Sequence, residues 1–413
     1  MTKLTTILAI GVTLAVTPVS THATGVASWG LDRIDQRTLP LDSSYRQSLT
    51  GRGVSFYAVD TGVYAAHSEF GGRVTDGYTR VSDGLGTGDC HGHGTHTAGT
   101  VAGNTTGVAP GVTVIPVRVY GCSGTGWTTD LTAGIRWAIE HHQPGVPAVM
   151  NISTSGSLSN SLNWAVRDAV LDGIVVVVAA GNNGRDACSY SPGAAPEAIT
   201  VGGTESNDTR MSISNFGPCV DIFAPGAWIT SAAHTGPNDY RSFKGTSFAA
   251  PHVTGIAALL LEANPSYTPQ QITDVIKANA TAGALVSLDA TSPNLLAYAS
   301  TAPLAPPVAP TTTTTTVPTA PATTVTPTTT AAPATATTTA PQAVQVTARR
   351  AGRGNYQVLV NGAQPGSTFA VRATSSSARP LPNRSWLVTA DAQGKVMFFI
   401  KLDLSRYVMS IVK

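Results

Sequence analysis

Charge is scarce in this chain. Only 12% of its 413 residues are Asp, Glu, Lys or Arg, 25 basic against 23 acidic, for a formal net charge of +2. That balance leaves no basic stripe for a nucleic-acid backbone and no polybasic patch for an anionic membrane. Aromatic residues are few, at 6%, and there are four cysteines. After the first two dozen residues no apolar run is long enough to cross a bilayer as a helix. Small and apolar residues are what the chain has in quantity: 42% of it is hydrophobic and 41 residues are glycine, enough to fill a substantial core.

The one early apolar run, Leu4 to Val16, follows a single cation, Lys3, and precedes Thr21-His22-Ala23, with small residues at the usual cleavage offsets. Residues 1–23 therefore read as a secretory signal peptide, which predicts an extracellular protein, with no membrane association once the signal is removed. Four cysteines in an exported chain predict two disulfides, and their number alone leaves three pairings open.

Val54 to Val59, Val112 to Val119, Ala148 to Ile152 and Ile174 to Ala180 read as buried strands, and Thr129 to His142 and Ser161 to Asp172 as helices between them. This alternation predicts an α/β domain with a parallel sheet, over residues 24–300. Ligands of such sheets gather at the carboxyl ends of strands, where Asp60, Ser153 and Asn182 fall. Thr268-Pro269-Gln270-Gln271 has the form of a capping box opening a further helix. Residues 301–342 are almost entirely Thr, Pro and Ala and cannot build a core, so they read as an extended linker. Residues 343–413 recover strand-like patches at Tyr356 to Val360, Thr368 to Arg372, Trp386 to Thr389, Val396 to Leu402 and Tyr407 to Val412, predicting a small all-β sandwich of unknown role.

Three separated segments carry the chemistry. Asp60-Thr61-Gly62 ends a strand, His93 lies in Gly92-His93-Gly94-Thr95-His96, and Ser247 lies in Gly245-Thr246-Ser247-Phe248-Ala249-Ala250-Pro251-His252, a glycine-led turn entering an apolar helix. A serine hydroxyl attacks only when a base takes its proton, and the base needs a carboxylate to hold its tautomer. The order Asp, His, Ser and the residues around each resemble the three signatures of the subtilase family of serine endopeptidases. Cys90 and Cys122 stand where the aqualysin-type members of its proteinase K branch have theirs.

The resemblance runs from about Trp29 to Tyr298 and implies a subtilisin-like fold, a parallel sheet sandwiched between helices on both faces. It implies a secreted serine endopeptidase, monomeric, acting on polypeptides through an acyl-enzyme on Ser247. Asn182, in Ala179-Ala180-Gly181-Asn182, takes the place of the oxyanion donor. Gly124, Gly126 and Trp127 resemble one substrate-edge segment, with Trp127 as lid of an outer pocket; Ala179 and Gly181 are implied to bind substrate too. Ser153, Thr154 and Ser155 occupy the other edge but depart from it, since the family commonly has leucine then glycine where Thr154 and Ser155 stand. An apolar or aromatic preference is the expectation for the primary pocket. Near-neighbour disulfides, Cys90 with Cys122 and Cys188 with Cys219, are implied too. So is a structural calcium on Pro196, Ala198 and Asp221, all oxygen donors, and no cofactor for catalysis.

Competing readings are weaker. Cys90, His91, His93 and His96 have zinc-ligand chemistry, and Asp60-Thr61-Gly62 matches the aspartic-protease tripeptide, although a second copy is missing from the chain and that mechanism needs two carboxylates. His96 reads as a structural residue behind the site. The alternative of another class is an adhesion or wall-binding protein with an inactive subtilase scaffold, whose C-terminal β module binds a surface or polymer.

Overall fold

The computed structural model describes residues 22–25 and 28–299 and, beyond these, six strands between residues 345 and 412. The expected signal segment through residue 21 and the 301–342 tract lie outside the described residues. The chain divides into two compact units, Met1–Thr311 and Thr312–Lys413.

In chain order the first unit contains β1 (His22–Gly25), α1 (Trp29–Asp35), β2 (Ser44–Gln47), β3 (Ser55–Asp60), β4 (Tyr78–Thr79), α2 (His93–Ala102), β5 (Thr113–Arg118), α3 (Thr128–His141), β6 (Ala148–Ile152), β7 (Gly156–Ser157), α4 (Asn160–Leu171) and β8 (Ile174–Ala179). There follow β9 (Tyr190–Ser191), β10 (Ile199–Thr204), β11 (Ile222–Pro225), β12 (Ile229–Ala232), β13 (Tyr240–Phe243), α5 (Thr246–Ala263), α6 (Pro269–Asn279), β14 (Thr281–Ala282) and β15 (Leu295–Leu296). Nine strands form one sheet in the order β14-β15-β11-β10-β8-β6-β3-β5-β4. Its pairings are parallel apart from the β14–β15 edge. β1 pairs with β2, β7 with β9 and β12 with β13, each antiparallel.

Both faces of the sheet are covered, as near-continuous apolar strands require. β8 reads Ile-Val-Val-Val-Val-Ala and is buried throughout. Val175 and Val177 pack with α2, α5 and α6, and Val176 and Val178 with α3 and α4, so strand alternation divides the core into two layers. The expected strands and helices of this unit are present with bounds shifted by about one residue, the usual uncertainty at fraying ends. α6 opens with the Thr268/Gln271 capping box. Disulfides join Cys90 to Cys122 and Cys188 to Cys219, with Cα separations of 4.9 and 5.2 Å.

The second unit holds β16 (Gln345–Gly352), β17 (Asn355–Asn361), β18 (Thr368–Ser375), β19 (Arg384–Thr389), β20 (Val396–Lys401) and β21 (Tyr407–Val412). They form two antiparallel sheets, β16-β17-β20 and β19-β18-β21. β16 is additional to the five expected strands. Its Ala-Arg-Arg-Ala centre lacks apolar alternation, and its strand character comes from pairing with β17.

Candidate active site

Asp60 ends β3, 2% exposed, with its carboxylate turned to the first residue of α2. His93 Nδ1 lies 2.8 and 2.9 Å from the two Asp60 oxygens. Thr61 N–H donates to Oδ1 at 2.7 Å and Thr97 Oγ1 to Oδ2 at 3.3 Å. The carboxylate therefore holds Nδ1 as a donor and leaves Nε2 to act as a base. Burial pushes the imidazole pKa down, but the charge and hydrogen bond of Asp60 and the charge of Asp89 outweigh it, and the net shift is upward. The His93 side chain keeps 23% of its surface exposed, so substrate can reach it.

Sequence reasoning missed Asp89. Its Oδ1 accepts from Thr61 Oγ1 and from the N–H groups of His91 and Gly92, each at 2.9 Å; its Oδ2 accepts from Thr95 N–H at 2.9 Å and Thr95 Oγ1 at 2.6 Å. One carboxylate thus ties the turn after Asp60 to the start of the His93 helix. Only its place just ahead of Cys90 and the histidine motif could have drawn attention to it. His96, one turn on, is buried, with Nε2 3.0 Å from the carbonyls of Ile229 and Arg241. Burial pushes its pKa to about 3, so it is a neutral structural residue. Cys90 is bonded to Cys122, which leaves the histidine segment without its thiolate and removes the zinc reading.

Ser247 sits in the first turn of α5, with Ser247 Oγ donating to the Ser153 carbonyl at 3.0 Å. In return Ser153 Oγ donates to the Ser247 carbonyl at 2.7 Å, and accepts from Asn151 Nδ2 at 2.8 Å. Thr254 Oγ1 donates to Asn151 Oδ1 at 3.0 Å, which completes a buried polar chain beneath the helix. Gly245 enters α5 at φ 155°, ψ 163°, a conformation essentially restricted to glycine. Asn182 Oδ1 accepts from Thr246 N–H at 2.8 Å and Thr246 Oγ1 at 3.1 Å. Its amide is thereby oriented with Nδ2 uncommitted to that contact, on the side of the Gly245 turn.

The edge segments flank this centre. Trp127 stands 77% exposed just before α3, and Gly124 packs against the His91 ring. Across from them run Ser153, Thr154 and Ser155, leaving β6, and Ala179 through Gly181, leaving β8. Asp221, the carboxylate of the implied calcium set, has two partners in the structure. Asp221 Oδ2 accepts from Thr200 N–H at 3.0 Å and Oδ1 lies 3.0 Å from Lys277 Nζ. A divalent cation seeks about six to eight oxygens. Here the one carboxylate that would join the carbonyls of Pro196 and Ala198 also meets the Lys277 ammonium, so an ion bound there would have to displace that half-exposed side chain.

The Subtilase family model matches residues 51–298. An extracellular serine proteinase of Thermus sp. (strain Rt41A) is 50% identical over 272 residues, covering 66% of this chain and 66% of that protein. Alkaline serine exoprotease A of Vibrio alginolyticus is 48% identical over 257 residues, 62% of this chain and 47% of that protein. The chain thus spans less than two thirds of these relatives' lengths. A crystal structure of a cold-adapted subtilisin-like serine proteinase superposes with a TM-score of 0.64 at 44% identity, covering 67% of this chain and 99% of that one. Since the family's own pattern accounts for over half of the sequence, the chain belongs to the subtilase family.

Proposed function

We propose that the protein is a secreted serine endopeptidase. The observation that carries this reading is the pairing of His93 Nδ1 with Asp60 at 2.8 Å, which leaves Nε2 free on a ring packed against Phe248, the residue after Ser247, with centroids 5.3 Å apart. Ser247 Oγ turns from the Ser153 carbonyl toward His93 by rotation about its Cα–Cβ bond. Nε2 takes the hydroxyl proton as Oγ bonds to the scissile carbonyl carbon. The resulting imidazolium is stabilised by Asp60, which does not itself take the proton. Asn182 Nδ2 and the Ser247 N–H at the start of α5 face the developing oxyanion. The C–N bond then breaks, and the amine leaves with the proton from Nε2. Water, deprotonated by the same nitrogen, attacks the acyl carbon; the C–Oγ bond breaks, Nε2 returns its proton to Ser247 Oγ, and the acid product leaves.

Substrate enters as an extended strand between the Gly124–Trp127 segment and Ser153–Ser155, where backbone pairing supplies affinity. The apolar segment at Leu4 to Val16 supports export. Among the described residues no helix is long and apolar enough to cross a membrane. The test is covalent labelling by a peptidyl phosphonate followed by peptide mapping. Label is expected on Ser247 and absent from Ser247→Ala; a folded sample that takes none sinks the peptidase reading and favours the inactive scaffold.

A further inference from the structure

We infer that Ser155 plugs the crevice beside Ser247, so that the protein cleaves after small residues and rejects large aromatic ones. The inference rests on the peptidase reading and names the substrate class of that same site.

β6 and β8 are adjacent parallel strands, with Ile152 paired to Val178. Past these residues the two chains separate into Ser153–Ser155 and Ala180–Asn182. The Ser247 hydroxyl is bonded to the first and Asn182 closes the second. A carbonyl held between Ser247 Oγ and Asn182 Nδ2 therefore places the side chain on its own α-carbon into the gap between these segments, the usual ligand crevice of a parallel sheet.

Ser155 spans that gap. Its Oγ lies 2.7 Å, and its Cβ 3.2 Å, from the point a Cβ on Gly181 would occupy. Ser155 Oγ is buried without a hydrogen-bond partner, so no water-sized space opens onto that atom.

Neither wall is free to retreat. Asn215, whose Nδ2 lies 2.5 Å from that same point beside Gly181, donates Nδ2 to the Ala180 carbonyl at 2.8 Å and N–H to the Gly181 carbonyl at 2.9 Å. Asn215 Oδ1 accepts from the N–H groups of Asn183 and Arg185 at 3.0 and 3.1 Å. On the opposite side Thr154 Oγ1 accepts from Tyr120 OH at 3.2 Å, and Gly156–Ser157 are paired with Tyr190–Ser191. The Thr154-Ser155 departure thus has two separate effects: the threonine anchors the wall and the serine fills the slot. On this inference a phenyl ring, which reaches deeper than a methyl or hydroxymethyl group, is the one that meets Ser155.

The experiment compares kcat/KM for tetrapeptide p-nitroanilides that differ only in Ala or Phe before the scissile bond. The protein is expected to favour Ala by about 10-fold or more, and Ser155→Gly to move the ratio toward Phe by a similar factor, the scale at which pockets discriminate by size. Ser155→Ala, which keeps Cβ and removes Oγ, is expected to fall between, and serves if the glycine variant does not fold. A protein that cleaves after Phe at least as well as after Ala overturns the inference, as does a ratio unchanged in the folded variants. Failure of the peptidase reading looks different: neither peptide is cleaved and Ser247 takes no phosphonate.

Discussion

Two carboxylate–imidazole pairs sit at opposite ends of the parallel sheet. At the carboxyl end Asp60 holds His93 Nδ1 at 2.8 Å; at the amino end Asp172, just before β8, holds His142 Nδ1 at 2.8 Å. Both imidazoles are raised above their ordinary pKa. Their second nitrogens differ. His142 Nε2 is spent on the Val146 carbonyl at 2.8 Å and its side chain is 4% exposed, so the ring is a staple between the end of α3 and the following turn. His93 Nε2 carries no such bond, and its ring lies against Phe248, next to Ser247, with centroids 5.3 Å apart. The pair alone is therefore not a catalytic device; an uncommitted nitrogen at an open crevice is what distinguishes one.

Exchanging the two losses is the strongest way to break this contrast. His93→Ala is expected to lower kcat by about 10⁴- to 10⁶-fold with the fold intact, the range for loss of one member of such a triad. His142→Ala is expected to leave kcat per folded molecule unchanged and to cost about 1–3 kcal/mol of stability, by losing hydrogen bonds to a charged ring. Active-site-titrated kinetics and urea unfolding measure the two. A large fall in kcat for the His142 variant would end the comparison.

pH separates the pairs next. Turnover needs neutral His93, so kcat/KM is expected to rise with pH through a midpoint above the ordinary value of about 6.5. The hydrogen bond that His142 donates to Asp172 is the main cause of the upward shift at His142, while burial opposes it. A raised folded-state pKa contributes stability that is fully present below the unfolded value and is lost as pH climbs through the folded one. Activity should therefore gain as this contribution fades. On the acid side, burial holds His96 at about 3 and His252 at about 4. Both take up protons on unfolding between about pH 4 and 6.5, and stability is lost as pH falls through that window. Melting curves of Ser247→Ala, which removes self-digestion, check both limbs; stability still rising from pH 7 to 9 would contradict the assignment at His142.

The smallest effect sharpens what the amino end is for. Lys277, 41% exposed, pairs with Asp221, so the pair contributes at most about 1 kcal/mol. Because the ammonium neutralises Asp221, calcium chelation is expected to shift the melting temperature of Ser247→Ala no more than it shifts Ser247→Ala/Asp221→Asn. Lys277→Gln is expected to create a calcium-dependent rise that Asp221→Asn abolishes. A larger chelation effect with Lys277 and Asp221 both intact would restore calcium to this loop.

Much of this was legible in the linear chain. The apolar runs of β3, β6 and β8 with helices between them gave a parallel sheet, because strands buried on both faces must be apolar throughout. The order of Asp60, His93 and Ser247, each within a distinctive local motif, pointed to the site. Other features depend on groups remote in sequence. Lys277 reaches Asp221 across 56 positions, Asn215 braces Gly181 across 34, and β16 takes its strand form from β17.

The chain by itself determined which side chains could do the chemistry and on which kinds of element they lie, since hydrophobic period, caps and glycine-led turns act over a few residues. The tertiary structure alone decided which imidazole nitrogen stays free, how deep the crevice beside Ser247 runs and which cation answers Asp221. Those outcomes depend on ångström-scale distances between segments far apart in sequence, and local propensity carries no information about them.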